Sequence, residues 1–289
     1  MREAFIHGCG DYYAAVETDD ALVDLKPLVK EATGQPVRRV GRFIQLALIG
    51  AGRCLGGRKA PEDTAVYFTS GRGDMEVTVE VMEALFRDGE APKPLHFINT
   101  VSNAACFYIS KHFGLHGRST FLCNRYFSFE TTLQLALFDL ASGAVKHALV
   151  GSVDIVTPPL SVQRRRLHLP PDTPVAEASH WLLLSADPNG ARGAITAAAV
   201  FGDRAAALGL ARAGSATAGA TGQFGDGAAF LHDAGLPETF DYRAGRAHYD
   251  SQSGAVISAF LDKGSGALVH VNADPDGRYG VMLVRTAPP

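Results

Sequence analysis

A mixed α/β fold, with a largely parallel sheet covered by helices, is predicted for this chain of 289 residues. Short apolar runs alternate with stretches of helical periodicity through its first half, and glycine-containing turns separate them. The composition agrees: 46% hydrophobic and 20% charged residues suit a large core, and the length suits one unit of two related halves better than one simple layer.

The elements follow in order. Phe5 to Gly8 reads as a strand, Val40 to Leu55 as a largely buried helix and Ala65 to Thr69 as a strand. Met75 to Phe86 is helical, started near Ser70-Gly71-Arg72-Gly73 and stopped at Gly89. Ser102 to Phe113, Thr120 to Cys123, Phe127 to Ala141 and His147 to Val150 follow as helix, strand, helix and strand, with Gly143 ending the second of these helices. In the second half, Ser179 to Ser185 and Ala194 to Phe201 are strands, and Ala213 to Gly227 is a Gly/Ala/Thr-rich loop. Ser253 to Leu261 is a helix. Ala267 to Asn272 and Tyr279 to Arg285 form a hairpin around Asp274-Pro275-Asp276-Gly277.

Several function classes are excluded on expectation. Cys9, Cys54, Cys106 and Cys123 show no metal-ligand spacing and lie in or near apolar segments, so reduced, buried thiols in a cytoplasmic protein, with no metal and no cofactor, are expected. A net charge of −3 argues against nucleic acid as a partner. No run approaches the ~18 apolar residues of a membrane span, and the short strand after Met1-Arg2-Glu3 is too brief for a signal peptide.

The most informative stretch is Gly114 to Gly151, a strand, a tight turn, an amphipathic helix and a second strand, with Tyr126 at the turn. Such a turn presents a side chain at a helix N-terminus, where free N–H groups and the helix dipole stabilise a thiolate. The block resembles the nucleophile segment of the β-ketoacyl synthases of the thiolase superfamily, roughly G-L-x-G-P-x, an apolar strand, T-A-C-S-[ST]-G, a helix ending in Gly and x-x-A-[LV]-V-G-G-x-[DE]. Gly114, Leu115, Gly117, Ala136, Gly143, Ala148, Leu149, Val150, Gly151 and Asp154 carry the match without a gap. Asn124, Arg125 and Tyr126 then occupy the T-A-C positions, so a phenol replaces the acyl-accepting cysteine. Phenols of ordinary pKa about 10 stay protonated at neutral pH, and an aryl ester offers no thioester-like intermediate.

Other segments resemble the same family more loosely. Ala4 to Gly10 is similar to its first strand and turn, and Phe97 to Leu115 to the helix before the nucleophile strand. Pro174 to Leu184 is similar to its G-E-G-A strand, without either glycine, and Ala191-Arg192-Gly193-Ala194 to its R-G-A turn. Gly245 to Ala255 is similar to its K-x-x-x-G-H-x-x-x-x-x-G-A segment, with Arg243 at the lysine and His248 at the second active-site histidine. No H-G-T-G-T segment is found, and His232 lacks its flanking residues. The resemblance implies a thiolase-like fold of two related βαβαβ halves, layered α-β-α-β-α, with the second half shortened. The expected organisation is a single unit over 1–289, an N-terminal half over 1–160 and a truncated C-terminal half over 175–289.

No catalytic residue is expected. Tyr126 reads as a stopper that hydrogen-bonds through its hydroxyl, His248 as a structural histidine without the partners its mechanism needs, and Cys123 as an inert thiol on a buried strand. Ser128 is expected to make a helix-start hydrogen bond. Asp226-Gly227 and Gly222 belong to the loop and form no phosphate cradle, since no lysine follows and no strand leads in. The bulk of Cys106, Phe107, Tyr108, Phe127 and Phe129 is expected to fill or bound an acyl tunnel. Arg164, Arg165 and Arg166, with Arg38, Arg39 and Arg42 elsewhere, form basic patches suited to an acidic acyl carrier protein. By resemblance the chain is similar to the chain-length factors, silent homologues that pair with an active ketosynthase, and to the short ketosynthase-like proteins of aryl polyene and related polyene systems. The expected partners are therefore an active β-ketoacyl synthase subunit and an acyl carrier protein. Two alternatives stand beside this one: a stand-alone acyltransferase, decarboxylase or thioester hydrolase using Cys123 or His248, and a homodimeric acyl or carrier-protein binding module.

Overall fold

Alternating burial draws Ala4–Val16 out as a 13-residue strand, β1, that runs well past the stretch Phe5 to Gly8 expected from the sequence. The computed structural model describes residues 3–215 and 219–287. After β1 come α1 (Lys26–Thr33), α2 (Arg42–Leu55), β2 (Ala65–Ser70), α3 (Met75–Phe86), α4 (Pro94–Asn99), α5 (Ala104–Phe113), β3 (Ser119–Cys123), α6 (Ser128–Ser142), β4 (His147–Asp154), α7 (Leu160–Leu167) and β5 (Val175–Ser185). The second half contains β6 (Gly193–Phe201), α8 (Arg204–Ser215), β7 (Ala220–Gly225), α9 (Gly227–Ala234), a single 3-10 turn, α10 (Ala255–Lys263), β8 (Ala267–Ala273) and β9 (Tyr279–Thr286). The 3-10 turn spans Gln252–Gly254 and leads directly into α10.

The nine strands are hydrogen-bonded in the order β3-β2-β4-β5-β1-β6-β9-β8-β7. An internal repeat is visible in this order. Matching β6, β7, β8 and β9 to β1, β2, β4 and β5 reproduces the arrangement, with parallel β7–β8 matching β2–β4 and antiparallel β8–β9 matching β4–β5. Among the described residues β3 has no counterpart, so the second half is one strand short. The segment 237–240 lies against β7 where that strand would pair: Thr239 and Phe240 donate their N–H groups to Thr221 O at 3.0 and 2.9 Å. The Thr221 hydroxyl donates to Pro237 O, and Gln223 Nε2 donates to Glu238 Oε2 at 3.1 Å.

The three largest hydrophobic clusters divide the layers. On one outer face α2 and α5 bury Phe43, Leu46, Ile49 and Ile109 against Val66, Phe68, Leu149 and Trp181. In the centre α6 and α10 pack Phe129, Leu133, Val256 and Phe260 against the inward residues of both strand groups, Tyr67 and Val150 on one side and Met282 and Val284 on the other. On the far face Ala207 and Ala211 of α8, with Phe230 and Leu231 of α9, cover Val269, Val271 and Val281. The sheet is continuous through β1, which pairs with both β5 and β6, yet packs as two layers around a helical middle.

Several sequence expectations change. The loop expected over Ala213–Gly227 holds the end of α8, strand β7 and the start of α9, while residues 216–218 lie outside the described residues. Gly222 is therefore in a strand, and a strand does lead into Asp226-Gly227; small side chains hid it, and its pairing with β8 makes it. Cys123 is exposed, because β3 is an edge strand hydrogen-bonded only to β2; Cys9, on β1, is half-buried, and Cys54 and Cys106 are buried. β5, which begins at 175, pairs with β4 and β1.

Candidate functional site

The turn between β3 and α6 places Tyr126 half-buried, with the Arg125 guanidinium carbon 5.0 Å from its ring centroid. The turn is held from the second half. Asn272 Nδ2, on β8, donates to Tyr126 O and to Glu130 Oε1, both at 2.9 Å, using its two protons. Glu130 is fully buried in the first turn of α6, and burial pushes its carboxyl above the ordinary range. The helix itself has no side-chain cap: Phe127 is the capping residue, and the buried Ser128 Oγ has no partner, so the expected helix-start hydrogen bond of Ser128 is not formed.

His248 arrives on the segment 246–251. Its N–H donates to Pro174 O at 2.9 Å and its carbonyl accepts from Ala176 N at 2.9 Å, which fixes it beside the start of β5. Its ring stacks on Phe224 at 6.2 Å, and burial lowers its pKa, favouring the neutral imidazole. A buried relay anchors the next residue, with the Tyr249 hydroxyl 2.8 Å from His180 Nε2 and His180 Nδ1 2.6 Å from Asp11 Oδ1. Asp250 then reaches the first half, accepting from Arg72 Nε at 2.9 Å. Beside it Asp154 accepts from Ser70 Oγ at 3.0 Å, Gly71 N at 2.9 Å and Ser251 N at 2.7 Å. Gly71 is required here, since a Cβ would sit 2.1 Å from Asp250 Cβ.

Tyr126 and His248 line one cleft of about 360 Å³, together with Arg125, Asp250, Asn272 and the apolar Leu167, Leu169, Phe224 and Pro275. A second cleft of about 480 Å³, with Arg243, Arg246, Asp241 and Gln252, shares His248, Phe224 and Gly225 with the first. Of the five residues expected at a tunnel, none lines the cleft of Tyr126. Cys106 is buried and Tyr108 partly buried in the outer core, Phe107 is 60% exposed on α5, and Phe127 and Phe129 are fully buried at the start of α6. Arg164, Arg165 and Arg166 form the last turn of α7, whose final residue Leu167 and the following His168 and Leu169 line the cleft. Arg42 is not a solvated surface charge but the partner of buried Glu177 at 2.5 Å. His232 is exposed on α9.

Chemically, this cleft offers a phenol, a neutral imidazole and a buried carboxyl. Desolvation, followed by the charges of Asp154 and Asp250, holds the Cys123 thiol above its ordinary pKa although the residue as a whole is exposed, which disfavours the nucleophilic thiolate. Among the described residues no cluster of three or more His, Cys, Asp or Glu is placed to hold a metal ion, and no helix is long and apolar enough to cross a membrane. Asn272, Glu130, Asp250 and Arg72 were not singled out in the sequence, because only the fold brings these distant positions together.

Burial, reinforced by Asp154 and opposed by Arg72, pushes Asp250 up to about 7. The folded state thus holds this proton more tightly than the unfolded chain, so its contribution is fully present below about pH 4 and is lost as pH rises through 7. Asp250→Asn removes that loss. The melting temperature of the variant relative to wild type is expected to rise between pH 4 and 7 by more than about 2 °C, the shift per kcal/mol for chains of this size. A difference that stays constant across that range would refute the titration.

No protein-family model matches this sequence, and no curated protein matches it. Its fold is the thiolase-like fold of the β-ketoacyl synthases, as solved structures with this architecture show. Among them, the ishigamide ketosynthase/chain length factor superposes with a TM-score of 0.77 at 15% identity, over 99% of this chain and 100% of that one. A β-ketoacyl synthase from Burkholderia phymatum STM815 gives 0.72 at 14% identity over the whole of both chains. A type II polyketide synthase acyl carrier protein in complex with its ketosynthase bound to the hexaketide gives 0.71 at 12% identity, over 99% of this chain and 100% of that one.

Proposed function

We propose that this chain is a catalytically silent ketosynthase homologue that acts as a chain-length factor. It pairs with an active β-ketoacyl synthase in acyl-carrier-protein-dependent biosynthesis of a polyene or fatty acid-like chain, of the aryl polyene type. The observation that carries this reading is Tyr126 at the turn between β3 and α6, where the fold would present the nucleophile. The partner supplies the cysteine.

The surface beside the turn supports a protein partner. β3 ends the sheet with one edge unpaired, and α5 packs beside it. Three helices leave large apolar side chains uncovered: Phe86 is 78% exposed on α3, Phe97 and Ile98 are each 61% exposed on α4, and Phe107 is 60% exposed on α5. Open strand edges and exposed apolar groups are liabilities that a stable subunit interface removes. An acyl tunnel bounded by Phe107 and Tyr108 would then form across that interface. The basic last turn of α7, next to the cleft, suits an acidic carrier protein.

Co-expression with the ketosynthase encoded beside it tests the pairing. A single peak of 1:1 stoichiometry in size-exclusion chromatography is expected, and separate elution of the two chains would refute the reading.

A further inference from the structure

We propose that Arg246 anchors an anion-binding site, and that the two clefts meeting at His248 take a free carboxylate borne on an apolar chain. This goes beyond the subunit role above and does not depend on it, because the ligand would be bound by this chain alone.

Arg246 is a positioned cation with one unsatisfied donor: its side chain hydrogen-bonds that of Tyr249, yet its buried Nη1 has no acceptor. Its neighbour Arg243 is held by Glu238 at 3.1 Å and Asp241 at 3.6 Å, but no carboxylate lies within ion-pair distance of Arg246 among the described residues. The guanidinium carbon sits 5.1 Å from the Tyr13 ring centroid, and Tyr13 is itself tied down by accepting Ala247 N at 2.6 Å. A buried, charged N–H without an acceptor is costly, and an anion is the acceptor that relieves it best.

The surroundings select the anion. Arg246 opens into the cleft of about 480 Å³, where it and Arg243 face one aspartate, Asp241, leaving one net positive charge among the lining residues. Burial keeps His248 in its neutral form, so it adds no charge. One positive charge and a planar fork suit a carboxylate, whereas a phosphate monoester carries about −1.5 to −2 at pH 7. Across His248, Phe224 and Gly225 this cleft continues into the one of about 360 Å³ with apolar walls at Leu167, Leu169, Phe224 and Pro275. Both volumes fall within the ~300–1,000 Å³ of small-molecule sites. A charged head at Arg246 and an apolar tail toward Tyr126 occupy this path together.

Isothermal titration of the full chain at pH 7 with decanoate, decanol and decyl phosphate tests the assignment. Decanoate is expected to bind saturably and at least about tenfold more tightly than decanol, and Arg246→Met to weaken decanoate by at least about tenfold. Arg246→Lys, which keeps the charge but not the fork, is expected to retain part of the affinity. Equal decanoate binding by wild type and Arg246→Met, absence of saturable decanoate binding, or tenfold preference for decyl phosphate would each overturn the proposal. Circular dichroism establishes that Arg246→Met is folded; if it is not, the decanoate-to-decanol ratio of wild type and the Arg246→Lys affinity decide. A failure here, read without any ketosynthase present, leaves the pairing result above unaffected.

Discussion

Arg42→Ala is expected to lower the unfolding free energy by about 3–5 kcal/mol, because it strands a charge in the interior. Arg42, the first residue of α2, donates from Nε to Glu177 Oε1 at 2.6 Å and from Nη2 to Oε2 at 2.5 Å, a two-pronged pair. Only 13% of the Arg42 side chain and 1% of that of Glu177 are exposed. Glu177 has one further donor, Val156 N at 3.3 Å, which does not replace a cation. Replacing both residues by methionine is expected to cost less than the single change, since no charge is then left buried. Urea unfolding followed by circular dichroism reads both effects. A loss under about 1 kcal/mol for Arg42→Ala would contradict the view that this buried pair holds the start of α2 to β5.

The second large effect is on assembly. Phe97→Asp and Phe107→Asp together place two charges on the face proposed to meet the ketosynthase, where both phenylalanines are mostly exposed in the isolated chain. Charges in the dry centre of an interface, with the loss of two aromatic anchors, are expected to weaken the complex at least ~100-fold, about 3 kcal/mol. The folded chain should lose little, since neither side chain belongs to a core. Surface plasmon resonance against the ketosynthase measures the first effect and a thermal melt the second. Unchanged affinity would place the interface elsewhere.

How much was legible depended on the range of the forces involved. The turn at Tyr126, the helices α3 and α6 and the hairpin β8–β9 came from local periodicity and turn chemistry, and these stand in the structure within a residue or so. β1 was read only as Phe5 to Gly8, since Gly8, Gly10 and Asp11 break its pattern. It continues to Val16 because those glycines let it approach the backbone of α2, where a Cβ on Gly10 would sit 2.1 Å from Cys54 N. β7 escaped notice because Ala, Thr and Gly carry almost no strand signal, and its pairing with β8 supplies what local sequence lacks. The site was legible at Tyr126 and His248, which a motif named. Asn272, Asp250 and the Arg42–Glu177 pair depend on partners 135 or more residues away in sequence. No local window contains that information.

In the proposed role the chain keeps a ketosynthase-like fold without acyl-accepting chemistry of its own. Intact-mass spectrometry of the co-purified pair, after exposure to an acyl thioester, tests this most directly. The account predicts an acyl adduct on the ketosynthase and none on this chain. A stoichiometric adduct on this chain, at Tyr126, Cys123 or any other residue, would contradict it.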